Sequence, residues 1–276
     1  MKSTSSNKLG IALAGVLALL VSTPPTFAQV KAPISTVPFV IKKPGNYYLT
    51  KNLVVTKLAQ ITGGDGIYIN ANNVTLDLNG FELSTNQNHM GSGINANGGP
   101  VVVRNGTVRG FDTGVYLAGS GLVENVSAIG CKEFGVYVIG GFSTVRRCIV
   151  RDTGGGAIYP SPAIVQGIRV QGGDTIIEDC TVAGLTRALA SFPVTGIYAG
   201  GSAANRIRGN SISSALNAAA LTTGIETGSN GDASNNIVQD CAIGIDMGIS
   251  LTVYRDNNTF NCPSKFNGGA DGGGNK

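Results

Sequence analysis

Gly114-Val115-Tyr116-Leu117 and Gly135-Val136-Tyr137-Val138 are one four-residue phrase written twice, 21 residues apart. In both, two apolar residues flank a variable one, which is the two-residue period of a strand with one buried face. The phrase also stands at Gly66-Ile67-Tyr68-Ile69, Gly93-Ile94-Asn95-Ala96, Gly167-Ile168-Arg169-Val170, Gly196-Ile197-Tyr198-Ala199, Gly224-Ile225-Glu226-Thr227 and Gly244-Ile245-Asp246-Met247. Eight copies at intervals of 20 to 32 residues signal a repeat architecture. A single unit cannot bury its own apolar face and must stack on its neighbours. Stacking would present the variable residue of each phrase as a straight row, so that row is the first place to look for function.

Each repeat carries a second element, apolar then polar, that reaches a corner and resumes. Examples are Val103-Arg104-Asn105-Gly106-Thr107-Val108, Val123-Glu124-Asn125-Val126-Ser127-Ala128 and Val145-Arg146-Arg147-Cys148-Ile149-Val150. Ile177-Glu178-Asp179-Cys180-Thr181-Val182, Ile207-Arg208-Gly209-Asn210-Ser211-Ile212 and Val238-Gln239-Asp240-Cys241-Ala242-Ile243 extend the series. One coil then reads strand, turn, strand, sharp corner, strand. Three strands per coil predict three parallel sheets around an apolar interior, with coils stacked about 4.8 Å apart. Eight coils predict a rod of roughly 38 Å on that spacing.

On these repeats, from Gly66 to Phe260, the chain resembles the right-handed parallel β-helix proteins of the pectate-lyase-like superfamily. The resemblance implies an all-β fold, a right-handed single-stranded parallel β-helix of about eight coils with three parallel sheets and an N-terminal β cap. The right-handed preference of crossovers between parallel strands agrees with that hand. Residues 29–62, with Pro38, Pro44-Gly45 and Tyr47-Tyr48-Leu49, are expected as capping strands, and 63–266 as the β-helix domain. Residues 267–276 have no apolar anchor beyond Ala270 and are expected as a flexible Gly-rich tail.

Residues 1–28 read as a signal peptide. Lys2 and Lys8 precede an apolar run from Leu9 to Val21, and Thr26-Phe27-Ala28 supplies a small-residue cleavage site. A cut after Ala28 and a secreted or periplasmic location follow as expectations. The apolar run is shorter than the roughly 20 residues that span a bilayer, so the protein is not expected to span a membrane. Losing Lys2 and Lys8 takes the net charge from +4 to +2, which leaves no strongly basic surface to argue for nucleic acid. A monomer is expected.

Five cysteines in an exported chain prompt a disulfide count. Cys148, Cys180 and Cys241 align in three copies of the second element and read as a buried row of small thiols. Cys131 and Cys262 fall in turns, and the odd count leaves at least one thiol free.

Two outward rows follow from the alignment. The second element places Asp77, Arg104, Glu124, Arg146, Glu178, Arg208 and Gln239 in one, a balanced series of alternating sign expected to hold the register of the sheet. The Gly-Ile phrase places Tyr68, Asn95, Tyr116, Tyr137, Arg169, Tyr198, Glu226 and Asp246 in the other. Four of the eight tyrosines fall in this column. A tyrosine offers an apolar ring with a polar tip, which suits the C–H faces and hydroxyl edges of sugar rings; aromatic stacking within a sheet is the structural alternative. Gly154 to Gln166, Gly184 to Thr195 and Ser213 to Thr223 carry the extra residues of the long repeats, all ahead of the phrase, and insertions on one edge often mark a binding face.

The resemblance also implies two catalytic designs, clustered aspartates with Gly-His-Gly or a calcium site of several acids with an Arg or Lys base. The chain has no Gly-His-Gly and no Asp-Asp, and its one histidine, His89, lies in the polar loop Thr85-Asn86-Gln87-Asn88-His89. The catalytic candidates that remain are Glu226 and Asp246, adjacent in the column, with Arg169 two coils before Glu226. Carboxyl groups about 5 Å apart can act as a glycosidase pair, and an arginine can neutralise a uronate. Neither metal-ligand spacing of His and Cys nor a nucleotide-binding glycine loop is present, so no metal and no cofactor is expected. The sequence points to an exported β-helix that binds an extended polysaccharide, an acidic one among the candidates, through Tyr68, Asn95, Tyr116, Tyr137, Arg169, Tyr198 and Glu226. A structural or adhesive surface protein is the alternative from another class, and a lyase, hydrolase or epimerase the third.

Overall fold

A computed structural model describes residues 31–56, 64–86, 91–154, 164–186, 194–201, 204–214, 222–248 and 251–276. The expected leader with its cut after Ala28, His89, and the insertions at 155–163, 187–193 and 215–221 lie outside the described residues.

All eight phrases are strands, such as Ser92–Ala96, Thr113–Leu117, Phe134–Val138 and Val165–Val170. They pair in parallel, phrase on phrase with no slip: Val115 opposite Val136, Tyr116 opposite Tyr137, Leu117 opposite Val138. Phe39–Ile41 and Ser264–Asn267 add a strand at either end, giving a ten-stranded sheet. Neither added strand begins with the glycine that marks the others, which is why the repeat reads as eight coils where the structure stacks ten.

That glycine has a steric cause. A Cβ on Gly66, Gly93, Gly114, Gly135, Gly167, Gly196, Gly224 or Gly244 would come within 3.0 Å of a neighbouring atom. The obstacle is a core side chain, as with Val108 beside Gly93, or the carbonyl of the next coil, as with Gly135 beside Gly114. The following residues are the core: Ile67, Ile69, Val115, Val136, Val138, Ile168, Val170 and Ile197 are fully buried, and Leu117 nearly so.

The remaining strands form an eighteen-stranded sheet that is two columns fused through the long strands Val101–Arg109 and Gly121–Ile129. Elsewhere each long strand is broken by a corner, as between Thr144–Arg146 and Ile149–Arg151. Three columns of parallel strands thus surround one core. The corner residue is left-handed in every coil from Asn105 through Asn125, Arg147, Asp179, Gly209 and Asn235 to Asp256. Asn and Asp tolerate that conformation because their short polar side chains bond locally, so the corner needs no run of glycines.

Just past the corner, the side chain turns inward. Cys148 and Cys180 occupy that place in two coils, and Asn210, Asn236, Asn257 and Asn275 in the next four. Each asparagine carbonyl accepts the backbone N–H of the residue one coil before: Asn210 from Cys180 at 2.9 Å, Asn236 from Asn210 at 3.0 Å, Asn257 from Asn236 at 2.9 Å and Asn275 from Asn257 at 3.0 Å. A buried corner leaves strand amides without a ladder partner, and this column satisfies them.

The column overturns the expected tail. Asn275 is its last rung, Lys276 exchanges backbone hydrogen bonds with Asn257 and Thr259, and Ala270–Asp271 is a strand paired with Val253–Arg255. Residues 267–276 are held by polar anchors, which a search for apolar ones misses. The expected cap is likewise part of the stack: Lys31–Ile34 pairs with Gly45–Leu49, which pairs with Val74–Asp77, and Leu53–Val55 pairs with Glu82–Thr85.

Two alignments are corrected. Val238 lies opposite Ile212, not Ile207, so Gln239 leaves the charge row, which continues from Arg208 to Ser234 and Arg255. Cys241 therefore leaves the Cys148 and Cys180 column. Its thiol and that of Cys262, the neighbour it does have, influence one another electrostatically at the other corner. All five cysteines are buried and free.

Candidate functional site

The outer face of the ten-stranded sheet carries the predicted row intact. Tyr68 lies opposite Asn95, then follow Tyr116, Tyr137, Arg169, Tyr198, Glu226 and Asp246, each in register with the next. A second outward row runs beside it through Ser92, Thr113, Phe134, Gln166, Thr195 and Thr223. It comes from the residue ahead of each glycine, because the glycine and its successor both turn inward at the start of the strand.

The centre of the face is a cluster of rings around one cation. Tyr116 and Tyr137 meet edge to face with centroids 5.3 Å apart, and Phe134 lies 5.0 Å from Tyr137. The guanidinium carbon of Arg169 sits 5.2 Å from the Tyr137 centroid, 5.3 Å from Tyr198 and 5.4 Å from Phe134. Such contacts hold a cation against ring faces with roughly 0.5–2 kcal/mol each. Nη1 of Arg169 donates to Gln166 at 3.0 Å, while its buried Nε has no acceptor among the described residues. Tyr137 donates its hydroxyl proton to Gln171 Oε1. Tyr198 has room because position 200 is glycine: a Cβ there would strike its ring.

Acids flank this centre on both sides. Toward the first coil, buried Asp65 accepts from the Ser92 amide and from Asn95 Nδ2, both at 2.7 Å. Burial raises its pKa against those two hydrogen bonds. Glu133, beside Phe134, is raised by burial and then by Asp112. Toward the last coil, Glu226 is raised by burial first and then by Asp246, while Thr195 and Arg169 pull it down. Thr195 donates to Glu226 Oε2 at 3.4 Å, a long bond, and Asp246 Oδ1 accepts from the Gly248 amide at 3.2 Å.

Asp65, Glu133, Phe134, Gln166 and Gln171 were not among the sequence candidates, which took only the middle residue of each phrase. Four of the five lie one or two places before the repeated phrase glycine, as in Asp65-Gly66, Glu133-Phe134-Gly135 and Gln166-Gly167, a pattern open to reading in the sequence.

The face presents aromatic rings, one cation and flanking acids. Glu226 and Asp246 lie opposite one another on neighbouring strands of one face, the placement that makes them candidates for a glycosidase pair. They stand on the same side of anything laid on the sheet, whereas such a pair flanks the bond it cleaves. Among the described residues no three carboxylate, imidazole or thiol side chains converge. A calcium ion needs six to eight oxygen ligands, and these residues do not fit one. Tyr68 stands apart from the cluster, its hydroxyl accepting from Asn97 at 2.7 Å.

Residues 40–162 match the family model described as a right-handed beta helix region. The fold is a right-handed parallel β-helix. The chain superposes on the crystal structure of pectate lyase Pel9A with a TM-score of 0.58 at 12% identity, over 89% of its own length and 69% of the lyase. It also superposes on the Dettilon tailspike protein with a TM-score of 0.54 at 13% identity, over 87% of its chain and 50% of the tailspike, so it spans half the length of that protein. No curated protein sequence matches the chain. At these identities the likeness is one of fold. No helix among the described residues of the β-helix protein is long and apolar enough to cross a membrane.

Proposed function

We propose that this is an exported protein that binds an extended, acidic polysaccharide along the outer face of its ten-stranded sheet. The observation that carries the reading is the in-register run Tyr116, Tyr137, Arg169, Tyr198, with Arg169 held among three rings. Positions on successive coils recur every ~4.8 Å, so Tyr116, Tyr137, Arg169 and Tyr198 can meet one extended chain. Arg169 supplies the positive charge that the carboxylate of an acidic unit needs. One protein of like fold is by name a pectate lyase, so the fold is compatible with a polyuronate.

The structural reading, a rigid spacer in a surface protein, has its own support: Tyr116, Tyr137 and Phe134 also pack on one another. A glycan-array screen of the purified protein, with a parallel assay for unsaturated uronide products, separates the readings. Binding to acidic glycans without product is the expected result. Product release would make the protein a lyase, and silence across the array would leave the spacer.

A further inference from the structure

A cavity of about 600 Å³ opens on a different face, against the first coils of the eighteen-stranded sheet. Lys31, Tyr48, Thr75, Asp77, Asn79 and Arg104 are among its walls. The size lies within the range of small-molecule sites. The register explains why these groups converge. Tyr48 lies opposite Asp77 and Asp77 opposite Arg104 in one outward row, while Lys31 lies opposite Asn46 and Asn46 opposite Thr75 in the next.

The charges in this cavity do not cancel. Asp77 is occupied: it accepts from Arg104 Nε at 3.0 Å, the Asn79 amide at 2.9 Å and Asn105 Nδ2 at 3.2 Å. That engagement fixes Arg104 by its inner nitrogen alone, and no acceptor among the described residues meets its terminal nitrogens. Glu124, the acid on the other side of Arg104 in the row, is taken by Arg146 at 2.8 Å and Arg147 at 3.0 Å. Lys31 has no ion pair among the described residues. Two cations thus border the cavity with one carboxylate already spent, beside a tyrosine ring, a hydroxyl and an amide.

We propose that this cavity is a second binding site, for a single acidic sugar unit. The sugar carboxylate meets the terminal nitrogens of Arg104 in the paired geometry that guanidinium favours, with Lys31 adding a second positive charge. Tyr48 offers its ring to the sugar face, and Thr75 and Asn79 offer hydrogen bonds to hydroxyls. Asp77 is a positioning residue: it holds Arg104 and leaves the fork free. The site shares no residue with the tyrosine row and stands or falls apart from it.

The test is calorimetric titration of the purified protein with sodium glucuronate, glucose and sodium sulfate at low salt. Glucuronate should bind and glucose should not. Arg104→Gln should weaken glucuronate by about tenfold or more, the effect of losing a charge-assisted pair. Arg104→Gln also loosens Asp77, so Lys31→Gln, which touches no ion pair, should independently weaken it by about threefold through lost charge alone. Arg206→Gln, at an exposed arginine that belongs to neither site, should leave this affinity unchanged. The proposal is overturned if glucuronate does not bind, if only Arg169→Gln reduces its binding, or if sulfate binds as tightly as glucuronate, which would make the cavity an anion site without selectivity for a sugar.

Discussion

Asn236 Oδ1 lies 3.0 Å from both the backbone nitrogen and the Nδ2 of Asn210, one coil away. A single buried oxygen thus serves two donors, while Asn236 Nδ2 donates to Ile207 O at 2.9 Å. The arrangement repeats at Asn257, so the corner of each late coil is fastened to the next by a side chain rather than by a strand ladder.

Asn236→Ala should therefore be among the costliest single changes outside the apolar core. It strands the Asn210 amide and the Ile207 carbonyl in a buried place, with an expected loss of about 3 kcal/mol from unsatisfied groups. Asn236→Asp keeps the acceptor but presents a buried charge to Asn257 Oδ1, and should be no milder. Urea unfolding of both variants checks this; a loss below about 1 kcal/mol for Asn236→Ala would show that water replaces the amide.

Glu124→Lys should destabilise through the charge row. Glu124 accepts from Nε and Nη2 of Arg146 and from Nη2 of Arg147, and its side chain is only 12% exposed. The change replaces those bonds with a cation between Arg104 and Arg146. A loss of about 2 kcal/mol is expected for charge-assisted bonds at a mostly covered site. It should shrink as salt is added, since the exposed arginines are screened. Equal melting temperatures of parent and variant at low salt would show that the row does not couple.

How far the sequence could be read follows from which rules leave a trace in residue type. The ten-stranded sheet was legible because Gly114 and Gly135 have no room for a Cβ and Val115 and Val136 must be buried, so both positions repeat. The corners were not, because the coil has two of them with the same kind of sequence. Val238-Gln239-Asp240-Cys241 imitates Ile177-Glu178-Asp179-Cys180, although its Asp240 turns the other corner. The signal that resolves them is Gly209-Asn210, Asn235-Asn236 and Asp256-Asn257, a left-handed residue followed by an inward asparagine. In the candidate site, the column of Tyr137, Arg169 and Tyr198 follows from simple alternation, whereas Phe134 and Gln166, which complete it, follow only from their place ahead of the repeated glycine. They belong to the strand entry, where the alternation of faces is broken by the glycine.

Cys131 and Cys241 should be inert in the folded protein. Burial and then the nearby Asp112 push Cys131 up to about 12, and burial pushes Cys241 up to about 12 as well. Both therefore stay protonated at pH 8, and the thiolate is the reactive form. Iodoacetamide at pH 8 should label all five cysteines in urea and neither of these two without it. Rapid native labelling of Cys131 would mean that its corner opens on the timescale of the reaction.

Glu226→Gln should change how stability depends on pH. The folded protein holds the Glu226 proton more tightly than the unfolded chain, whose ordinary value is near 4.5, because of burial and then Asp246. A carboxyl raised on folding favours the native state while protonated, and that advantage is lost as pH rises from about 4.5 through the folded value. Glu226→Gln removes the penalty. Its melting temperature should exceed the parent's at pH 7 and match it at pH 3. A variant less stable at pH 7 would show that Arg169 and Thr195 outweigh burial.

The aromatic row separates ligand recognition from sheet packing. Tyr198 contacts Arg169 and the backbone beside Gly200, whereas Tyr137 is bound into the ring cluster with Tyr116 and Phe134. If the face binds a glycan, Tyr198→Ala should weaken an acidic oligosaccharide by roughly 1–2 kcal/mol, the scale of losing an aromatic interface contact. Stability should change little, because the position is not part of the core. Tyr137→Ala should weaken binding by a similar amount and also lower the melting temperature, since it breaks two ring contacts and the bond to Gln171. Arg169→Ala should cost an acidic oligosaccharide more than a neutral one of the same length, because only the acidic chain brings a carboxylate to the guanidinium. Affinity and melting temperature measured on all three variants decide the matter. If melting falls in each while affinity for acidic and neutral chains stays at the parent's value, the row is packing of the sheet surface and the spacer reading stands in its place.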